Sequence, residues 1–318
     1  MDPTPSCRPP VPAGYLELRE NGRLAERVVR ARDVLRECVL CPWECRVNRT
    51  AGELGACRVG SEALVSSYGP HFGEESVLVG RYGSGTIFMA GCNLGCVFCQ
   101  NHQISQEGSG HVVSAESLAE MMLELQSLGC HNINFVSPTH QVPQILEALA
   151  IAVEDGLVVS LVYNTGGYDS VETLRILDGI VDIYMPDAKY GDNEPGKLYS
   201  GVPDYWDRCS KALVEMQRQV GELDIRRAAC DDGGTATIAV RGLLVRHLVL
   251  PGGIAHTPEV MRFLAEQISV DTYVNVMPQY RPEHLARRCP ELARPLEAHE
   301  FASAMQNARD AGLHRFAD

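Results

Sequence analysis

Three cysteines in the run GCNLGCVFCQN, namely Cys92, Cys96 and Cys99, follow directly on the short apolar segment GTIFMAG at residues 85–91. This order constrains the fold more than any other feature. A buried strand must run straight into a loop that gathers three thiols, spaced C-x3-C-x2-C. In parallel α/β folds, ligand-binding and catalytic loops lie at the carboxyl ends of strands. The thiols suit iron: a [4Fe-4S] cluster has four irons, and three cysteines leave one of them open to a small molecule. Three buried thiols, or part of a zinc site, are the plainer alternatives.

The rest of the chain supports a strand-and-helix alternation. Ser114 reads as an N-cap, followed by the apolar stripe Leu118, Met121, Met122 and Leu125, with Gly129 at the C-cap. INFV at 133–136 is a second strand, and Val142, Ile145, Leu146 and Leu149 mark the next helix, ended by Gly156. LVVSLVYN, IVDIYMP, LLVRHLVLP and TYVNVMP give four more strands. Helices are expected at 171–177, 205–220 and from Thr257, where Pro258 fits the first helical position. Six strands alternating with helices imply parallel βαβ units. Six is too few for a closed eight-strand barrel, so an α/β fold with an open, partial (β/α)6 barrel fits, and a doubly wound sheet is the alternative.

Four regions follow from this pattern. Residues 1–14, rich in Pro, read as a disordered tail, and 15–82 as a Cys-rich N-terminal lobe that opens with a helix at 15–35. Residues 83–290 form the core, and 291–318 a C-terminal helical extension. The stretch from the N-terminal cysteines to residue 83 reads as a Gly-rich connection.

Composition narrows the function. The chain has 318 residues, of which 45% are hydrophobic, so a sizeable core is available. A net charge of −13 disfavours general nucleic-acid binding. No stretch approaches 18 uninterrupted apolar residues, the length expected of a membrane span. The N-terminus has no apolar h-region of a signal peptide, so a cytoplasmic protein is expected. The 12 cysteines then point to a reducing compartment, where clustered thiols more often bind metal than pair. Five of them, Cys7, Cys130, Cys209, Cys230 and Cys289, are scattered and read as hydrophobic fillers or surface thiols.

Polar residues recur at strand ends. The fourth strand ends in Met185-Pro186-Asp187-Ala188-Lys189, where a carboxylate and an ammonium two residues apart point the same way. A solvated surface pair is the alternative. The fifth carries Arg246 and His247 inside an apolar run. A buried Arg needs a partner, either a bound carboxylate or hydroxyl, or a structural ion pair with Asp187. His247 points the other way and reads as a packing histidine. The third ends in Tyr163-Asn164-Thr165-Gly166-Gly167-Tyr168, whose Gly pair permits close backbone approach to a ligand or forms an ordinary turn.

Cys38, Cys41 and Cys45 are spaced C-x2-C-x3-C, and Cys57 follows after eleven residues. Four thiolates suffice for a tetrahedral zinc site or an auxiliary iron–sulfur cluster. Free thiols in a small lobe are the alternative. A lobe with little core of its own gains most from a metal staple.

The Cys loop, MPDAKY and VRHLVLPG together resemble the radical S-adenosylmethionine (radical SAM) proteins related to pyruvate formate-lyase activating enzyme, over roughly residues 83–280. The four-Cys segment and PQYRP are similar to an uncharacterised branch of that family. The resemblance implies that Cys92, Cys96 and Cys99 bind a [4Fe-4S] cluster whose open iron is chelated by S-adenosylmethionine. It implies cofactor contacts for Phe98, Asn164, Asp187, Lys189 and Arg246. Two departures stand out. Asn164 replaces the Asp that activating enzymes place near the cofactor and a monovalent cation, so the cation is not carried over. Ser137-Pro138-Thr139-His140 stands where the superfamily often has a Gly-Gly-Glu-like turn.

The resemblance further implies one-electron reduction by a flavodoxin or ferredoxin, cleavage of the sulfonium, and hydrogen abstraction by a 5′-deoxyadenosyl radical. Three functions follow: an activase acting on a glycine of a glycyl radical enzyme, an oxidoreductase modifying a small molecule or peptide directly, or a non-catalytic electron carrier or scaffold. A carrier has no need of the charged groups at 187, 189 and 246. No nucleic-acid or membrane partner is expected.

Overall fold

A computed structural model describes Cys7 and residues 11–318 of the chain. Ten strands among them form one sheet: β1 (Ala63–His71), β2 (Ser84–Met89), β3 (His111–Val113), β4 (Asn132–Val136), β5 (Ser160–Thr165), β6 (Ile183–Pro186), β7 (Asp224–Ala229), β8 (Thr235–Leu248), β9 (Tyr273–Met277) and β10 (Arg315–Phe316). The six expected strands are β2, β4, β5, β6, β8 and β9. They lie side by side in sequence order, and every neighbouring pair is parallel. No reversal of strand order occurs among them, as a doubly wound sheet would require. The fold is therefore the open, partial barrel.

Four strands enlarge that core. β1 pairs antiparallel with both β2 and β3 at one edge, and β10 adds parallel to β9 at the other. The stretch read as a Gly-rich connection thus contains a strand. Its exposed residues and its Gly69-Pro70 pair mask the apolar alternation of a half-buried strand. β7 forms a hairpin with the first half of β8, between the helix expected at 205–220 and the strand LLVRHLVLP. Gly242, with φ +125°, lets β8 leave that hairpin and enter the barrel: a Cβ there would lie 2.4 Å from the Glu222 carbonyl oxygen.

The helices follow their sequence signals closely. Ser114 accepts a hydrogen bond from Ser117 N and caps helix Ala115–Ser127. Helices Val142–Glu154, Tyr205–Val220 and Thr257–Phe263 lie where expected. The N-terminal helix is divided at Asn21-Gly22 into Gly14–Glu20 and Arg23–Asp33. Gly22, with φ +77°, makes the break. Tyr15 hydroxyl donates to the Val159 carbonyl at 2.8 Å, and Arg32 pairs with Glu147 at 2.8 Å, fixing both pieces to the barrel's outer layer.

Cys7 and Cys230 correct the reading of them as unrelated thiols: they form a disulfide that joins the N-terminal segment to the β7–β8 hairpin. A separation of 223 residues left no local signal for it. The remainder of the tail at 1–10 lies outside the described residues. No helix among the described residues is long and apolar enough to cross a membrane.

Candidate active site

The loop after β2 carries Cys92, Cys96 and Cys99 to one end of the barrel. All three line a cavity of 290 Å³ together with Phe98, Asn164, Asp187, Lys189 and Arg246. Every residue expected at the principal site is therefore gathered there, from the ends of β2, β5, β6 and β8.

Each thiol has a hydrogen-bonding neighbour. Leu94 N donates to Cys92 Sγ at 3.4 Å, Ser200 Oγ lies 3.0 Å from Cys96 Sγ, and Ser105 Oγ lies 3.2 Å from Cys99 Sγ. Burial pushes the Cys92 thiol up to about 12 and raises Cys96 as well, which Lys189 partly offsets. Thiols so buried ionise when a metal takes the proton's place, and the hydroxyl and amide donors then stabilise the sulfur charge. The donor set therefore fits an iron–sulfur cluster. Ser105 and Ser200 had no sequence signal: one lies beyond the motif on a short helical turn, the other on a separate helix.

The charged residues form one network. Asp187 Oδ2 accepts from Lys189 Nζ at 2.5 Å, and its Oδ1 accepts from Arg246 Nε at 2.9 Å. Arg246 Nη2 donates to Asn164 Oδ1 at 2.7 Å. Thus the ion pair of Arg246 with Asp187 does form, and both groups line the cavity. Burial opposes the charge on Asp187, but Arg246 and Lys189 together outweigh it and hold the carboxyl below its usual range. Burial also opposes the charge on Lys189, and Asp187 outweighs it, so the ammonium persists. A zwitterionic ligand with a carboxylate and a hydroxyl-bearing ring finds here a fixed ammonium, guanidinium, carboxylate and amide.

The supporting residues explain why these groups hold still. Phe98 packs edge-on against Tyr190 and Tyr280, with ring centroids at 6.4 and 6.1 Å. Gly167 approaches the end of β6 so closely that a Cβ would lie 2.2 Å from the Asp187 carbonyl oxygen. Gly166 lines the cavity. The Gly pair thus serves one packing contact and one cavity wall. Tyr205 hydroxyl donates to the Asp187 carbonyl at 2.8 Å, and accepts from Lys189 N at 3.0 Å. His247 points away, as expected: it is fully buried, with Nδ1 2.7 Å from the Ala188 carbonyl and Nε2 2.8 Å from Thr257 Oγ1. Burial lowers it to about 4, so it is neutral.

In the turn that departs from Gly-Gly-Glu, Ser137 has φ +58° and, with Thr139, lines the cavity. Thr139 donates to Asp169 Oδ1 at 2.7 Å, which also accepts from Tyr163 hydroxyl at 2.9 Å; Asp169 Oδ2 accepts from Thr165 at 2.7 Å. Asp169 is a buried carboxylate that sequence reading passed over, because it sits in an unremarkable strand-to-helix loop.

The second set of thiols also comes together. Cys38, Cys41, Cys45 and Cys57 interact electrostatically with one another, and burial raises the Cys41 thiol well above its usual range. Among them lies Arg49, 1% exposed. Its guanidinium donates to the carbonyls of Gly60, at 2.6 Å and 3.0 Å, and His140, at 2.8 Å. Nη1 lies 3.9 Å from Cys38 Sγ. Among the described residues, no group of three or more His, Cys, Asp or Glu side chains converges on a single-ion geometry.

A protein with this barrel and this three-thiol cavity falls in one class, and comparison with known proteins agrees. The model of the radical SAM superfamily matches residues 86–220. The chain is 31% identical over 307 residues to the uncharacterised protein MJ0674 of Methanocaldococcus jannaschii, covering 94% of this chain and 82% of that one. The chain belongs to the radical SAM superfamily. Among solved structures it is similar to native anSMEcpe with bound AdoMet and Cp18Cys peptide, with a TM-score of 0.47 at 12% identity, over 71% of this chain and 60% of that one. It is similar also to Streptococcus suis SuiB bound to precursor peptide SuiA, with a TM-score of 0.47 at 12% identity, over 72% and 46%. The chain thus spans less than two thirds of either of these two proteins.

Proposed function

We propose that the chain is a radical SAM oxidoreductase in which Cys92, Cys96 and Cys99 hold a [4Fe-4S] cluster and Phe98, Asn164, Asp187, Lys189 and Arg246 bind S-adenosylmethionine. The observation that carries this is the single cavity lined by the three thiols and by the Lys189–Asp187–Arg246–Asn164 network. When bound, the cluster and cofactor supply reductive cleavage of a C–S bond to methionine and a 5′-deoxyadenosyl radical, which takes hydrogen from a substrate. The protein's part is placement and exclusion of water. Lys189 and Arg246 offer charge to a carboxylate, Asp187 keeps both oriented, and the apolar face of Phe98 shields the loop. The electron comes from a flavodoxin- or ferredoxin-type donor, and the protein works in the cytoplasm.

Direct modification of a substrate held in the barrel is the reading the geometry favours. Trp43, from the four-Cys lobe, donates its indole N–H to the Asn93 carbonyl at 2.7 Å, and this tie between lobe and cluster loop supports a capped site over one that receives a protein loop. Activation of a glycyl radical enzyme is the alternative. It predicts that a pull-down from the host recovers such an enzyme, and a host genome lacking one would count against it.

We propose further that the four-Cys site takes up a metal, zinc or an auxiliary iron–sulfur cluster, which would draw its four thiols into ligand geometry. Arg49 supports this. No carboxylate pairs with it among the described residues, and neutral thiols leave a buried guanidinium uncompensated at high cost. Thiolates held by a metal offset that charge. Metal analysis of Cys38→Ala should show the loss of this metal while the other cluster is retained; unchanged metal content would oppose the assignment.

The central experiment is anaerobic reconstitution with iron and sulfide, then addition of S-adenosylmethionine and dithionite with assay for 5′-deoxyadenosine. Production should vanish in Cys96→Ala. A wild-type protein that binds the cluster yet never cleaves the cofactor would favour the electron-carrier alternative.

A further inference from the structure

Arg246, Met277 and Gln279 line the cofactor cavity on one side and a second chamber of 660 Å³ on the other. The segment between β1 and β2, the end of β9 and the C-terminal helix enclose this chamber. Its charge is unusual. Three carboxylates, Glu74, Glu75 and Asp318, line it, and Arg246 is already bound to Asp187 and Asn164.

Glu75 is 8% exposed. Its Oε1 accepts from Asn275 Nδ2 at 2.8 Å, but its Oε2 is buried with no hydrogen-bond partner. A buried carboxylate oxygen left without a donor costs free energy that a bound donor would recover. Glu74 is close by and also incompletely paired: its Oε2 is 3.7 Å from Arg246 Nη1 and its Oε1 is 3.5 Å from His71 Nδ1. Burial raises the Glu74 carboxyl above its usual range despite Arg246. Three aromatic side chains, Phe72, Phe301 and Phe316, also line the chamber.

We infer that this chamber is the substrate pocket and takes an ammonium group carried on an apolar chain, with Glu75 Oε2 as its principal acceptor. The inference rests on the radical SAM reading, which places hydrogen abstraction beside the shared wall. An ammonium supplies the donor that Glu75 Oε2 lacks and a further positive charge beside Glu74, and the aromatic side chains contact the hydrocarbon. A carboxylate or phosphate substrate would meet three acidic side chains instead.

The test uses the full, anaerobically reconstituted chain and n-butylamine as the probe, with n-butanol as its neutral counterpart, in titration calorimetry. Binding of the amine at least tenfold tighter than the alcohol, weakened tenfold or more in Glu75→Gln, is the expected result. Equal binding of amine and alcohol to the wild type overturns the inference, and that comparison needs no variant. Amine binding unaffected by Glu75→Gln overturns it also. So does competition between n-butylamine and S-adenosylmethionine, because the ammonium site would then serve the cofactor. 5′-Deoxyadenosine formed without added amine reports separately on the radical reading, and its absence from the wild type would overturn the pocket's role in substrate binding.

Discussion

Trp43 and Asn93 connect the two thiol-rich regions: the indole of the N-terminal lobe donates a 2.7 Å hydrogen bond to the backbone carbonyl beside Cys92. Trp43 stands between Cys41 and Cys45, so one side chain couples the geometry of both cysteine sets. Trp43 and Cys57 line a 510 Å³ cleft together with Cys92 and Asn93.

Trp43→Phe should keep most of the packing and lose that hydrogen bond, worth about 1 kcal/mol. The lobe then opens more often over the cluster loop. Bleaching of the reconstituted cluster's visible absorbance by a chelator should be several-fold faster than in the wild type. An unchanged rate would show that the lobe does not cover the cluster.

Ser200 sits 3.0 Å from Cys96 Sγ and 2.8 Å from Tyr190 hydroxyl. A hydroxyl donating to a ligand sulfur stabilises the reduced cluster. Ser200→Ala should therefore shift the cluster's potential to more negative values, read by an electron-paramagnetic-resonance redox titration. A shift in the positive direction would mean that the hydroxyl donates to Tyr190 instead.

Asp187→Asn leaves Lys189 and Arg246 without their shared carboxylate. Breaking a largely buried ion pair from one side costs about 3–5 kcal/mol. The urea midpoint of the unreconstituted protein should fall accordingly, with an unchanged slope. A fall of less than about 1 kcal/mol would mean that the two cations find other partners.

His247 gives a pH prediction with a definite sign. Burial lowers it from 6.5 to about 4 in the folded protein, so the unfolded chain binds the extra proton between those values. Its contribution to stability is complete above pH 6.5 and is lost as pH falls towards about 4. His131 and His140 are lowered to about 4 in the same way, so the difference between variants isolates one residue. His247→Gln should be less stable than the wild type at neutral pH, with a shallower loss of stability on acidification. Parallel curves would show that His247 keeps its proton affinity on folding.

Some of this was legible in the chain itself. The six core strands announce themselves because buried parallel strands are short apolar runs between capped helices, a strictly local pattern. Cys92, Cys96 and Cys99 are legible for the same reason: their spacing lies within one loop. Asp187 and Lys189 follow from strand periodicity, which puts alternate residues on one face.

What local pattern does not encode was hidden. β1, near one edge of the sheet, and the β7–β8 hairpin carry mixed polarity, so neither period stands out. The Cys7–Cys230 disulfide spans 223 residues. Glu74 and Glu75 fall in the stretch read as a Gly-rich connection, where nothing nearby marks them as buried.

The sequence by itself determined the order of elements, the open barrel and the three thiols, because each rests on contacts between near neighbours. Only the tertiary structure decided that Arg246 spends its guanidinium on Asp187 and Asn164, residues 59 and 82 positions away. It alone decided, too, that Glu75 is buried on the chamber that Arg246 also lines. A buried charge is compensated by whatever the packed barrel brings within reach, and that choice is made across the sheet, not along the chain.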